Sequence, residues 1–116
     1  MAQRRPIDEA KKGSAEILIL SVVEDEAHHG YQIAKLIEQR SNGDLRFTLA
    51  SLYATLYRLE DRGWIAAEWG VSPLGRRAKF YRLTPAGRRQ LQSETKGWTE
   101  YVAAIGSVLR TTLEPS

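Results

Sequence analysis

The chain contains no cysteine, which excludes a disulfide framework, a thiolate-ligated zinc or iron–sulfur site and a thiol nucleophile. Its two histidines are adjacent, His28-His29. Neighbouring residues on a helix diverge by ~100°, so this pair makes a poor chelate and neither a metal nor a cofactor is expected. No apolar run reaches the roughly 18–20 residues that span a bilayer. The start, Met1-Ala2-Gln3-Arg4-Arg5-Pro6, lacks the apolar stretch of a secretory signal. These absences point to a cytoplasmic protein with no membrane partner. A Walker-type phosphate loop and a nucleophile–histidine–carboxylate set are missing too, so no catalytic residue is assigned and no enzyme is expected.

What is present suits one globular domain: 116 residues, 42% hydrophobic and 27% charged. The net charge of +3 is unevenly spread. Residues 46–89 carry nine basic groups against the acids Glu60, Asp61 and Glu68, a surplus of +6 that leaves −3 for the rest. A basic middle with acidic flanks fits a polyanionic partner, although a solvated face carries such charge too.

Residues 1–12, polar and interrupted by Pro6, read as a mobile arm. A helix follows from Ser14, with Ala15, Leu18, Ile19, Val22 and Val23 on one face. His28-His29-Gly30 breaks the pattern and shapes the start of a second helix, in which Tyr31, Ile33, Ala34, Leu36 and Ile37 turn inward. Ser41-Asn42-Gly43-Asp44 is a turn signal. Thr48 is a plausible N-cap for a third helix carrying the stripe Leu49, Leu52, Leu56 and Leu59, and Gly63 ends it. Ser51, Ala54, Thr55, Arg58 and Arg62 fall on other faces, available to a partner.

Beyond Gly63 the period changes to two. Ile65, Ala67 and Trp69 are expected on the buried side of one strand, and Lys79–Leu83 forms a second. The loop between them, residues 70–77, places Arg76 and Arg77 at a hairpin tip. Thr84-Pro85 then opens a last helix, with threonine at the cap and proline at the first helical position. Unbroken to Leu113, it would run ~43 Å. Leu91, Trp98, Val102, Ile105 and Leu109 form a near-heptad seam along it, which calls for a second copy of the chain.

The expected fold is mainly α with a small β-hairpin: a winged helix-turn-helix over residues 13–84 and a long dimerisation helix over 85–116. In such an arrangement the exposed face of the third helix can enter a major groove, and wing cations can reach neighbouring phosphates. The DNA-contact candidates are Ser51, Tyr53, Thr55 and Arg58 on the helix, with Arg76, Arg77 and Lys79 on the wing. Ser51 lies near the helix N-terminus, where amides favour phosphate. Tyr53 and Tyr57, four apart, either present hydroxyls to DNA or simply pack with their tips outward.

The ordered run Lys12-Gly13, His29-Gly30-Tyr31-Gln32-Ile33, Ser51-Leu52-Tyr53, Leu56–Ile65 and Arg76–Gly87 resembles the PadR family of transcriptional regulators, in its compact branch. Ala54 departs from the proline common there, and Ala50 stands where glycine or another small residue is common. The resemblance implies a homodimeric repressor of a pseudo-palindromic double-stranded operator, responsive to a small molecule. It also implies a planar aromatic effector held between tryptophans of the last helix, here Trp98 with Tyr101 and Val102. The other reading of Trp98 is an interface anchor. A winged-helix protein-interaction module without DNA binding is the alternative function, and the +6 middle argues against it.

Overall fold

In the computed structural model, which describes residues 14–110, the helical periodicities become α1 (Ala15–Val22), α2 (Gly30–Arg40), α3 (Leu49–Asp61) and α4 (Pro85–Leu109). Three strands, β1 (His28–His29), β2 (Ile65–Val71) and β3 (Arg77–Leu83), form an antiparallel sheet in the order β1-β3-β2. The expected arm, residues 1–12, lies outside the described residues, as does the end of the chain from 111. Among the described residues no helix is long and apolar enough to cross a membrane.

The core is built around α1, which packs against α2, α3 and α4 at once. That encirclement explains why Leu20 is fully buried beside Ile19, Val22 and Val23 although the expected stripe omitted it. Ile33 and Ile37 of α2, Leu52, Leu56 and Leu59 of α3, Ile65 and Tyr81 of the sheet, and Leu91 of α4 complete the cluster. Leu49 is a departure, 47% exposed because the first turn of α3 projects past the core. Tyr31, expected inward, is also exposed on the first turn of α2.

Side-chain caps set the helix starts. Thr48 Oγ1 accepts the Ser51 amide at 3.1 Å, and Thr84 Oγ1 accepts the Gly87 amide at 3.0 Å. At α2 the cap is His29: its Nδ1 accepts the Gln32 amide at 3.3 Å, while Gln32 Oε1 accepts the His29 amide at 3.3 Å. This is a reciprocal capping box with an imidazole in the usual place of a hydroxyl. His28 and His29 also pair with Tyr81 and Phe80 as the short strand β1. A two-residue strand has no periodicity, so the third strand had no signature.

The wing differs from the expected loop. β2 continues to Val71 and β3 begins at Arg77, so the turn shrinks to residues 72–76. Ser72 donates its amide to the Arg76 carbonyl at 2.8 Å, and Gly75 takes the left-handed φ of 78° that the turn requires. Trp69 shares a sheet face with Ile65 and Ala67 yet is 57% exposed, since the hairpin reaches beyond the helices that bury its base.

α4 starts against the core. A side chain at Gly87 would collide with the Trp64 carbonyl, so the close approach requires glycine there. The helix ends at Leu109, with Arg110 left-handed at φ 54°, four residues before the expected Leu113. Its 25 residues extend ~37 Å. Projection of α4 and the wing raises the radius of gyration to 15.7 Å, above the ~13 Å of a compact 100-residue domain.

Candidate nucleic-acid interface

The burial of Leu52, Thr55, Leu56 and Leu59 turns the opposite side of α3 to solvent: Ala50, Ser51, Ala54, Arg58 and Asp61. Tyr53 and Tyr57 lie on the flank toward the sheet. There the wing face carrying Trp69, Arg77, Lys79 and Tyr81 stands across a cleft of about 750 Å³, which the start of α2 closes at one end. The Tyr53 ring lies over Gly30, where an added Cβ would come within 2.5 Å of the hydroxyl oxygen. Gly30 therefore sets where that hydroxyl points.

The sequence candidates separate into two groups. Tyr53, Arg76, Arg77 and Lys79 border the cleft, whereas Ser51 and Arg58 lie away from it on the outer face of α3. Thr55 requires correction: it is 2% exposed and donates its hydroxyl to the Ser51 carbonyl at 3.0 Å, so it packs rather than reads a groove. Helical position alone places it on a face apart from the leucines, available to a partner, and α1 packing against α3 covers that side. Leu91 is corrected likewise. It is 6% exposed within the chain's own core, which removes it from any surface seam.

Charge is redistributed more strongly than position. Lys79 Nζ lies 3.2 Å from Glu60 Oε1, between the rings of Tyr57 and Tyr81 at 5.9 and 5.7 Å. Arg62 and Arg58 both face Glu16, Arg88 pairs with Glu24, and Arg46 lies 3.5 Å from Glu38. Among the described residues Arg76, Arg77, Arg82 and Arg89 have no acidic partner. The Arg77 guanidinium stacks on Trp69 at 4.7 Å, a contact that leaves its charge unneutralised. Of these four, Arg76 and Arg77 stand at the wing tip, Arg82 near the base of β3 and Arg89 on α4, while the cations on and beside α3 are paired with Glu16 and Glu60.

Two titrations reflect this environment. Burial, then the charge of Glu60, then Tyr53 and Tyr57, push the Tyr81 phenol up to about 12. Burial, then the neighbouring charge of His28, hold the His29 imidazole below 6.5. A neutral His29 is what its role as a hydrogen-bond acceptor at the head of α2 needs.

The profile of the transcriptional regulator PadR-like family matches residues 19–93, which span the core, α3 and the wing. The chain belongs to the PadR-like family. The transcriptional regulator Rv3488 of Mycobacterium tuberculosis is 34% identical over 97 residues, covering 84% of this chain and 87% of that protein. The fold is similar to that of a transcriptional regulator from Clostridium thermocellum, at a TM-score of 0.77 and 25% identity over 85% of this chain and 93% of that one. A PadR family transcription regulator from Clostridium difficile superposes with a TM-score of 0.72 and 28% identity, over 84% and 99%. The protein is therefore a PadR-like transcriptional regulator with a winged-helix fold and a trailing helix, and not an enzyme.

On that trailing helix of the PadR-like fold, Trp98, Tyr101, Ile105, Val108 and Leu109 are 37–81% exposed and Val102 is half-buried. Trp98 and Tyr101 lie side by side, ring centroids 6.0 Å apart and planes tilted by 45°. A Cβ on Gly97 would meet nothing within 4 Å. Residues that sequence reasoning left out of the site are Tyr31 and Trp69, which line the cleft beside Tyr57, and Glu16 and Glu60, which pair with Arg62 and Lys79. Strand alternation had assigned Trp69 inward. Partners 46 and 19 positions away leave no local signal.

Proposed function

We propose that this regulator is a cytoplasmic repressor that binds double-stranded DNA as a homodimer. Residues 13–84 carry the DNA contacts and residues 85–116 the dimer contacts. The observation that carries the reading is the pair Arg76 and Arg77, without acidic partners among the described residues, on a wing across a cleft from Tyr53 and Tyr57 of α3. Ser51, Tyr53 and Arg58 supply the helix side of the interface, and Lys79 a lesser wing contribution.

The exposed aromatic and aliphatic residues of α4 support the homodimer. Burying a large apolar side chain is worth ~1.5–3 kcal/mol, so Trp98, Val102, Ile105 and Leu109 together supply a substantial drive to associate. Two copies of Trp98 and Tyr101 near the two-fold axis would also hold a planar aromatic effector. Such a ligand weakens DNA binding only where it favours a spacing of the two α3 helices that misses successive grooves.

The test combines promoter footprinting with sedimentation of wild type and of the Val102→Asp/Ile105→Asp variant. Wild type is expected to protect two half-sites about one helical turn apart, ~34 Å. The variant, with charge forced into an apolar seam, is expected to sediment as monomer and lose the footprint. An intact dimer in that variant would place the interface elsewhere.

A further inference from the structure

Glu16 stands in the first turn of α1, its side chain one-quarter exposed, facing the outer side of α3. Both its oxygens accept from Arg62 Nη1, at 2.9 and 3.0 Å, and Oε2 lies 3.7 Å from Arg58 Nε. The two arginines are one helical turn apart, so a single carboxylate serves both. The remaining Arg58 nitrogens are used locally: Nη2 donates to Thr55 Oγ1 at 3.1 Å and Nη1 reaches the Ala54 carbonyl at 3.5 Å. Arg62 is held further by the Trp64 ring at 5.1 Å. Arg58 is therefore laid along the helix surface that turns toward the partner, with its charge balanced from behind by another element.

Guanidinium groups bind carboxylate and phosphate with the same fork of donors. The two oxygens of Glu16 occupy the place a backbone phosphate would take on a free pair of arginines. We propose that Glu16 is a built-in counter-anion that keeps Arg58 and Arg62 off DNA phosphates, and so sets how strongly the protein discriminates its operator from other DNA. It is a positioning residue that touches no DNA itself. Sequence-independent affinity comes from phosphate neutralisation, and withholding two cations lowers it for every sequence. A restrained Arg58 reaches a base edge only where the operator places one correctly, so discrimination is gained against the wrong sites.

The inference rests on the DNA-binding reading above, and the experiment separates the two. Wild type, Glu16→Gln and Glu16→Asp are titrated into a random-sequence duplex, and into a duplex selected by wild type from a randomised pool, across a salt series. Each arginine released onto a phosphate steepens the salt slope by ~0.9 per protomer, so the affinity lost between ~50 and ~200 mM salt grows about three- to fourfold per contact. Glu16→Gln is expected to show that steepening, tighter random-duplex binding and a smaller ratio between the two duplexes. Glu16→Asp, which keeps the charge, is expected to retain the wild-type slope. Adding Arg58→Gln and Arg62→Gln to Glu16→Gln is expected to cancel the gain, which a purely structural role for Glu16 would not produce.

An unchanged slope in a folded Glu16→Gln protein overturns the proposal. Should that variant fail to fold, Arg62→Gln alone decides: it is expected to leave the random-duplex slope unchanged, and a slope lowered by ~0.9 per protomer overturns the proposal. A wild type that binds neither duplex in a salt-dependent way refutes the DNA-binding reading itself.

Discussion

Replacing Arg76 and Arg77 together by glutamine tests whether the wing tip brings free positive charge to DNA. Neither arginine has an acidic partner among the described residues, so neither contact with DNA requires an ion pair to be broken first. A dimer would bring four such groups to the duplex. At ~0.9 per phosphate contact, the double variant should flatten the slope of log affinity against log salt by ~3.6. Between ~50 and ~200 mM salt, that makes the affinity loss smaller on the order of a hundredfold. Lys79→Gln is the internal comparison. Its ammonium is already within 3.2 Å of Glu60 and lies between two tyrosine rings, so its removal should alter the slope far less. Fluorescence anisotropy of a labelled random duplex across a salt series reads both numbers, and circular dichroism confirms that the variants are folded. A Lys79→Gln slope as flat as that of the double variant would refute the assignment of free and paired cations. An unchanged slope in the double variant would remove the wing from the interface.

Two stability predictions follow from local geometry. Gly87→Ala drives a methyl group into the Trp64 carbonyl, backbone that cannot yield, and should destabilise by ~1–3 kcal/mol as overpacking does. Gly97→Ala enters open space in mid-helix and should stabilise the protomer by up to ~1 kcal/mol; denaturant melts that rank the two the other way would refute the packing of α4. Acid should weaken the start of α2. Because the fold holds the His29 pKa below 6.5, the native state binds fewer protons than the unfolded chain there. The stabilisation is complete above that value and is lost as pH falls from it toward the lowered native pKa. Melts at pH ~7.5 and ~5.5 should show a drop in wild type and a smaller one in His29→Asn, which keeps a capping side chain without the titration.

Local chemistry was sufficient for much of the molecule. Thr48, Thr84 and Pro85 announce helix starts because capping involves residues two or three apart. Gly63 announces an end because α3 needs a left-handed residue there, at φ 77°. The alternation beyond it announces a hairpin, and Arg76 with Arg77 announces a basic wing. These signals, in order, were enough for a winged helix; the PadR-like family came instead from the resemblance carried by residues 29–33, 51–53, 56–65 and 76–87. Only the tertiary structure decided which residues the interface could use. Thr55 is lost from it because α1 covers that edge of α3, and Leu91 joins the core because Gly87 lets α4 approach the sheet. β1 exists only because β3 offers it an edge. Most of all, the sequence shows nine basic groups between residues 46 and 89 but not their counter-ions. Glu16, Glu24 and Glu38 lie outside that stretch, and Glu60 lies 19 positions from Lys79. Ion pairing is set by distance in space, and distance in space is what folding adds to a sequence.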